Sequence, residues 1–220
     1  MPLELERRIC DNTTLGLWKV EESIDELRKH LQLNEEEEHF YKGLKKNKRN
    51  LHWLSSRVLL RKLLHTDQFI EVGSTGKGKP ILINFDYELS ISHSFDYAAV
   101  IISKKKVGVD IERMGEKIRI IRDRFLSKEE IAGMKNPDDL RELYIYWGIK
   151  ESMYKLEGKG DLNFKQHLRV SPFDIDNEGD AACMIHKNGE SRILKGHYFI
   201  LGNYVLTWAV DEVPEYIALS

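Results

Sequence analysis

The apolar positions of this chain change period several times, and each change marks an element. In the first twenty residues Leu15, Leu17 and Val20 are the apolar part, which predicts irregular chain or a short strand. Ser23 followed by Glu26 is a capping box that opens a helix running to about Leu33. A second helix is predicted from Asn34, with acids in its first turn and bases towards its end, as the helix dipole prefers. Leu51, Leu54, Val58 and Leu59 recur near period 3.6 and predict a third helix over 51–65. Ile81–Phe85, Leu89–Ser94 and Tyr97–Ser103 read as strands. Lys104–Lys106 is expected to turn the chain tightly back, making Val107–Glu112 the second arm of a hairpin. Helices are predicted near 116–124, over 127–134 with Ser127 and Glu130 as its capping pair, and from Pro137 to about Glu157. From His167 to Val210 four or five strands are expected, with turns at Asn177–Asp180, Asn188-Gly189 and Gly202-Asn203. Helices and strands in both halves suggest two related subdomains meeting along a cleft.

Two places break the pattern. On the strand Val107–Glu112, Asp110 and Glu112 leave the same face, because side chains alternate. Two charged carboxylates on a half-buried strand repel each other and lose hydration, a cost that a hard cation such as Mg²⁺ removes. An edge strand with two solvated acids is the competing reading. On the long helix, the stripe Leu140, Leu143, Trp147, Glu151 and Tyr154 puts a carboxylate where the period asks for an apolar residue. Lys155 lies one turn further on, so a Glu151–Lys155 surface pair on a shifted helix competes there.

Bulk composition narrows the classes. The 220 residues carry a net charge of −2, which speaks against bulk nucleic-acid binding. Hydrophobic content of 41% with 32% charged residues fits a soluble protein, and no apolar run reaches the ~20 residues of a membrane span. Without a signal-peptide pattern at Met1–Glu4, a cytoplasmic enzyme is expected. Cys10 and Cys183 belong to no closely spaced ligand pair, which argues against zinc or a disulfide framework. The acidic block Glu35–Glu38 is followed by Lys42, Lys45, Lys46, Lys48 and Arg49, then by Arg57, Arg61 and Lys62. This is either a solvated face or a site for a multiply charged anion. Gly73–Pro80 nearly matches a phosphate-binding loop, but Pro80 replaces its hydroxyl residue and a strand follows, so an ATPase is rejected. No nucleophile elbow surrounds the serines beside His93, which leaves a serine hydrolase unsupported.

Four ordered segments resemble the 4′-phosphopantetheinyl transferases of the Sfp type. They are Gly78-Lys79-Pro80, Ile91-Ser92-His93-Ser94, Gly108-Val109-Asp110-Ile111-Glu112, and the run from Trp147 through Lys150-Glu151-Ser152 to Lys155, completed by Glu157-Gly158-Lys159-Gly160. Ser90 stands where that family often has Asn, and neither the first nor the last 50 residues carry a signature. The resemblance implies an α+β fold built as a pseudo-twofold repeat of two similar subdomains. Residues 1–105 would form the coenzyme A side and residues 106–220 would carry the metal ligands, with the active site at the junction. It implies Mg²⁺-dependent (or Mn²⁺-dependent) transfer of the phosphopantetheine arm of coenzyme A to a serine of an apo acyl or peptidyl carrier protein by a monomeric enzyme. Adenosine 3′,5′-bisphosphate would be released. By matched position Asp110, Glu112 and Glu151 would hold the metal, and Asp110, Glu151 and Lys155 would be catalytic. Coenzyme A would meet Arg57, Arg61, Lys77, Lys79, Pro80, Ser92, His93 and Lys155, with His93 at the 3′-phosphate and the Gly-Lys-Pro loop at the adenine. The serine's base stays open among Glu151, a metal-bound water and Glu130. An inactive coenzyme A or carrier-binding module, and a Mg²⁺-dependent phosphohydrolase, are the competing functions.

Overall fold

A computed structural model describes residues 2–44, 48–158, 160 and 162–212. The chain opens with an antiparallel hairpin, β1 (Leu3–Cys10) and β2 (Thr13–Lys19), where the sequence predicts irregular chain or a single short strand. Asn12 supplies the left-handed turn (φ 56°) between them. Leu3, Leu5 and Ile9 alternate with charged residues on β1, the pattern of an exposed edge strand. Three helices follow: α1 (Ile24–Arg28), α2 (Glu35–Gly43) and α3 (Lys48–Leu63). The boxes Ser23/Glu26 and Asn34/Glu37 both form, and α1 stops well short of the predicted Leu33. Next come the two-stranded β3 (Val72–Ser74) and β4 (Pro80–Leu82), then β5 (Glu88–Ser94), β6 (Tyr97–Ser103) and β7 (Val107–Arg113). The rest comprises α4 (Lys117–Phe125), α5 (Lys128–Gly133), α6 (Leu140–Leu156), α7 (Phe164–His167), β8 (Leu168–Val170), β9 (Glu178–Lys187), β10 (Glu190–Leu201) and β11 (Tyr204–Val210).

The strands make two main sheets, ordered β1-β2-β6-β5 and β7-β11-β10-β9-β8. This corrects the expected hairpin of β6 and β7. β6 has both edges taken, by β2 and β5, and β7 pairs instead with β11, ninety residues on, in the register Asp110 opposite Thr207. Lys104–Lys106 therefore carries the chain between sheets. The inner faces share one core: Leu15, Leu17, Tyr97, Ala99 and Ile101 meet Val107, Val109, Ile111, Leu206 and Trp208. Outside the first sheet, Leu54, Val58, Leu59 and Leu63 of α3 pack on Ala98, Val100 and Ile102. Outside the second, α6 lies on β7 and β11. The layers are thus helix, sheet, sheet, helix, a mixed α+β architecture.

α6 is buried along Leu143, Tyr146, Ile149, Met153 and Leu156, while Trp147, Glu151 and Tyr154 are only half-buried. Glu151 sits on the flank of α6 and not in the core stripe that the sequence pattern suggested. The helix also starts at Leu140 behind the cap Asp139, three residues later than Pro137. Its closeness to β7 depends on glycine. A Cβ on Gly108 would stand 1.8 Å from the Ser152 carbonyl oxygen, and one on Gly148 would stand 2.8 Å from Thr207. At that separation the Lys155 side chain of α6 reaches Asp110 on β7.

Candidate active site

Strand alternation sends Val107, Val109 and Ile111 into the core between the sheets and sends Gly108, Asp110 and Glu112 towards α6. Asp110 is 4% exposed. Its Oδ1 accepts from the Lys155 ammonium at 2.7 Å and from the Ser92 hydroxyl at 2.8 Å. Its Oδ2 is buried with no hydrogen-bond partner among the described residues. Lys155 also donates to Ser92 Oγ and to the Val109 carbonyl, both at 2.9 Å, so three acceptors fix its ammonium. Two residues along β7, Glu112 accepts from the Ser94 hydroxyl at 3.3 Å. Its carboxyl is pushed up from 4.5 to about 7, first by loss of water and then by the Asp110 charge, with Ser94, Trp147 and Lys155 pulling the other way. Glu151 lies half-buried on α6, one turn before Lys155.

Among the described residues no three carboxylate, imidazole or thiol groups are gathered into a ready cation cage. What is gathered is two carboxylates on one strand face, one of them with a buried oxygen that takes no hydrogen bond. A group of that kind suits Mg²⁺, which takes one or two protein carboxylates and fills its octahedron with water and substrate phosphate oxygens. The residues fit the ion.

The reverse face of β5 carries Leu89 and Ile91 against α3, with His93 at its end. The His93 ring stacks on His52 of α3 with centroids 4.5 Å apart, and His52 Nε2 is 2.8 Å from the Phe95 carbonyl. Packing holds the His93 pKa below its usual 6.5, helped by His52, Lys155 and Arg49. Arg113 lies 3.5 Å over the Phe95 ring, and Lys48 lies 5.5 Å from it. Arg49 belongs to the basic run noted in the sequence, whereas His52 was not singled out from it. They stand three apart at the start of α3, and that spacing on a basic helix is the signal that was there to find.

The other sequence candidates are more dispersed. Arg57 pairs with Glu37 at 3.3 Å and lies 3.6 Å over the Trp53 ring, and burial draws its pKa down to about 10 against the pull of Glu37. It shares a cavity of about 550 Å³ with Gly78, Pro80 and Ile91. Arg61 donates to the carbonyls of Asp67 and Gln68 and lines a different hollow beside Lys29 and His65. Lys79 is buried; its ammonium donates to Glu88 at 3.0 Å and to the Leu156 carbonyl at 3.3 Å, bracing the Gly-Lys-Pro loop against the end of α6. Lys77 is exposed, with its ammonium 3.9 Å from where a Cβ on Gly160 would stand. Ser92 turns inward to Asp110 and Lys155. Lys45, Lys46 and Lys159 lie outside the described residues.

Glu130 faces away from this cluster. One of its oxygens accepts from Ser127 N and Lys150 Nζ at 2.8 Å each, the other from Val170 N at 2.9 Å. Lys150 is likewise fully buried and donates to the Phe125 and Phe164 carbonyls. These two residues hold the C-terminal half together.

Residues 106–209 match the family described as the 4′-phosphopantetheinyl transferase superfamily. The chain is 31% identical over 117 residues to the 4′-phosphopantetheinyl transferase psf-1 of Bacillus pumilus, covering 49% of this chain and 50% of that protein. It is 30% identical over 114 residues to the 4′-phosphopantetheinyl transferase gsp of Aneurinibacillus migulanus (50% and 46%). It is 33% identical over 87 residues to the 4′-phosphopantetheinyl transferase Sfp of Bacillus subtilis (38% and 39%). The chain thus spans about half the length, or less, of these relatives, and the resemblance seen in its motifs is borne out.

Proposed function

We propose that this chain, matched over residues 106–209 to the 4′-phosphopantetheinyl transferase superfamily, transfers the phosphopantetheine arm of coenzyme A to a serine hydroxyl of an apo acyl or peptidyl carrier protein. Adenosine 3′,5′-bisphosphate leaves. The observation that carries this reading is the Asp110–Glu112 face of β7, buried under α6, with Lys155 on one Asp110 oxygen and the other left without a hydrogen bond.

Asp110 and Glu112, with Glu151 from the flank of α6, would hold Mg²⁺ or Mn²⁺. Held there, such an ion would supply positive charge to offset the diphosphate and the charge that develops on the leaving group. Lys155 keeps a fixed ammonium beside that charge, in a site poor in water where such a donor is worth more than in bulk. His93, stacked on His52 with Arg49 near, is placed to anchor the 3′-phosphate. Pro80 and Arg57 share the cavity in which the adenine end fits. Glu130 is occupied by two backbone N–H groups and Lys150, so the base for the serine proton is taken as either Glu151 or a water that the metal would hold.

The reading takes residues 1–105 as the coenzyme A side and 106–220 as the metal side of a pseudo-twofold pair. It is supported by two sheets that each carry one long helix, α3 or α6, on the outer face. We take the enzyme as monomeric and cytoplasmic; among the described residues no helix is long and apolar enough to cross a membrane.

The test is the intact mass of an apo carrier protein after incubation with this protein, coenzyme A and Mg²⁺. A gain of one phosphopantetheine, lost with a chelator and lost in Asp110→Asn, is expected. Cleavage of coenzyme A without a carrier, or binding without transfer across acyl and peptidyl carriers, would overturn it.

A further inference from the structure

The two sheets meet at the edges of β5 and β7, and the seam is not a backbone ladder. Three serines at alternate positions of β5 accept from alternate backbone N–H groups of β7. Val109 donates to Ser90 Oγ at 3.1 Å, Ile111 to Ser92 Oγ at 3.3 Å and Arg113 to Ser94 Oγ at 3.1 Å. A hydroxyl has one proton and two lone pairs. Both lone pairs of Ser92 are filled, by Ile111 N and by the Lys155 ammonium, so its single proton is committed to Asp110 Oδ1. Two donors then converge on Oδ1 while Oδ2 stays bare, and the carboxylate is held in one orientation. Ser94 repeats the arrangement one rung along, with Arg113 N on its oxygen and its proton to Glu112. Ser90 makes the ladder bond and touches neither carboxylate.

Resting on the proposed metal site, we infer that Ser92 and Ser94 are positioning residues. They aim Asp110 and Glu112 at the cation, and they tie that aim to β5, the strand whose opposite face carries His93. Hydrogen-bond partners that orient metal ligands commonly change metal affinity 10–100-fold when lost.

The experiment compares Ser90→Ala, Ser92→Ala and Ser94→Ala, each losing one rung of the same ladder. Coenzyme A binding is followed by calorimetry, first in chelator and then across a Mg²⁺ titration, with thermal unfolding alongside. The Mg²⁺ midpoint is expected to rise about tenfold or more in Ser92→Ala and Ser94→Ala and to stay put in Ser90→Ala. Coenzyme A binding in chelator should be unchanged in Ser90→Ala and Ser94→Ala, and restoring a hydroxyl with Ser92→Thr should bring the midpoint back. Equal shifts in Ser90→Ala and Ser92→Ala would reduce the ladder to fold support and overturn the inference, as would no shift in any variant. If Ser92→Ala does not fold, Ser94→Ala against Ser90→Ala decides. Wild-type protein whose coenzyme A binding ignores Mg²⁺ would instead sink the metal site itself, a separate outcome.

Discussion

Lys150 stands beside Glu151 in the motif that marks the long helix, and the structure gives it a purely architectural task. Its ammonium is fully buried and donates to Glu130 Oε2 at 2.8 Å, to the Phe125 carbonyl at 2.7 Å and to the Phe164 carbonyl at 3.1 Å. One side chain therefore joins α6 to the end of α4, to α5 and to the start of α7. Burial draws the Lys150 pKa down to about 8, with the Glu130 charge opposing the fall. Lys150→Met keeps the length and removes the charge. Glu130 keeps the N–H groups of Ser127 and Val170 but loses its hydrogen-bonded counter-ion in a dry setting, with only Arg169 left at 4.0 Å, which costs about 3–5 kcal/mol. For a chain of this size about 2–4 °C of Tm accompanies each kcal/mol, so Tm should fall by roughly 6–20 °C. Adding Glu130→Gln removes the stranded charge, but its amide NH2 cannot accept from one of the two backbone N–H groups that the carboxylate serves, so only part of the loss should be recovered. Urea and thermal unfolding followed by circular dichroism give both numbers. A single variant within about 1 kcal/mol of wild type, or a double variant no more stable than the single one, would refute the reasoning.

Three further outcomes follow from the same geometry. In metal-free buffer the folded Glu112 carboxyl titrates near 7 against 4.5 when unfolded, so its contribution is present below pH 4.5 and lost as pH rises through 7. Glu112→Gln should therefore be more stable than wild type by about 3 kcal/mol at pH 8 and equal to it near pH 4, in urea melts at the two pH values; a gap that does not change with pH would count against this. Because packing, His52, Lys155 and Arg49 keep His93 neutral, a phosphate placed there must draw in a proton, so coenzyme A should bind more tightly at pH 6 than at pH 8. Calorimetry on His93→Asn should show that dependence flattened. Gly108→Ala forces a methyl group against the Ser152 carbonyl and lifts α6 from β7; a loss of at least ~1–3 kcal/mol together with loss of carrier modification is expected, and normal activity would contradict the contact.

What was legible in the sequence is what local chemistry decides. Ser127 and Glu130 fixed a helix start because a capping box closes within four residues. Asn188-Gly189 and Gly202 placed two hairpin turns because the left-handed backbone there, φ 54°, 81° and 55°, suits few other residues. The shared face of Asp110 and Glu112 followed from a period of two, which no tertiary contact can alter. Strand partners were another matter. β6 and β7 are both apolar enough to be buried on one or both faces, and nothing in three lysines says whether the second folds back on the first or crosses to a sheet closed ninety residues later.

The same division explains the site. Lys155 could be found because it lies one helical turn from Glu151, whereas Arg57 and Arg61, also one turn apart, look equally well suited to an anion. Only the packing of α3 tells them from Arg49 and His52: it turns Arg57 onto Glu37 and Trp53, spends Arg61 on the carbonyls of Asp67 and Gln68, and brings His52 against His93. Ser92 shows the limit most clearly. As a hydroxyl beside a histidine it looks like a ligand contact, yet its proton and both lone pairs are taken by Asp110, Lys155 and the backbone of a strand in the other sheet. Sequence spacing sees which residues share a face. Whether a face looks outward to solvent or inward to a buried carboxylate is decided by which sheet edge comes to rest beside it, and here that edge is β7.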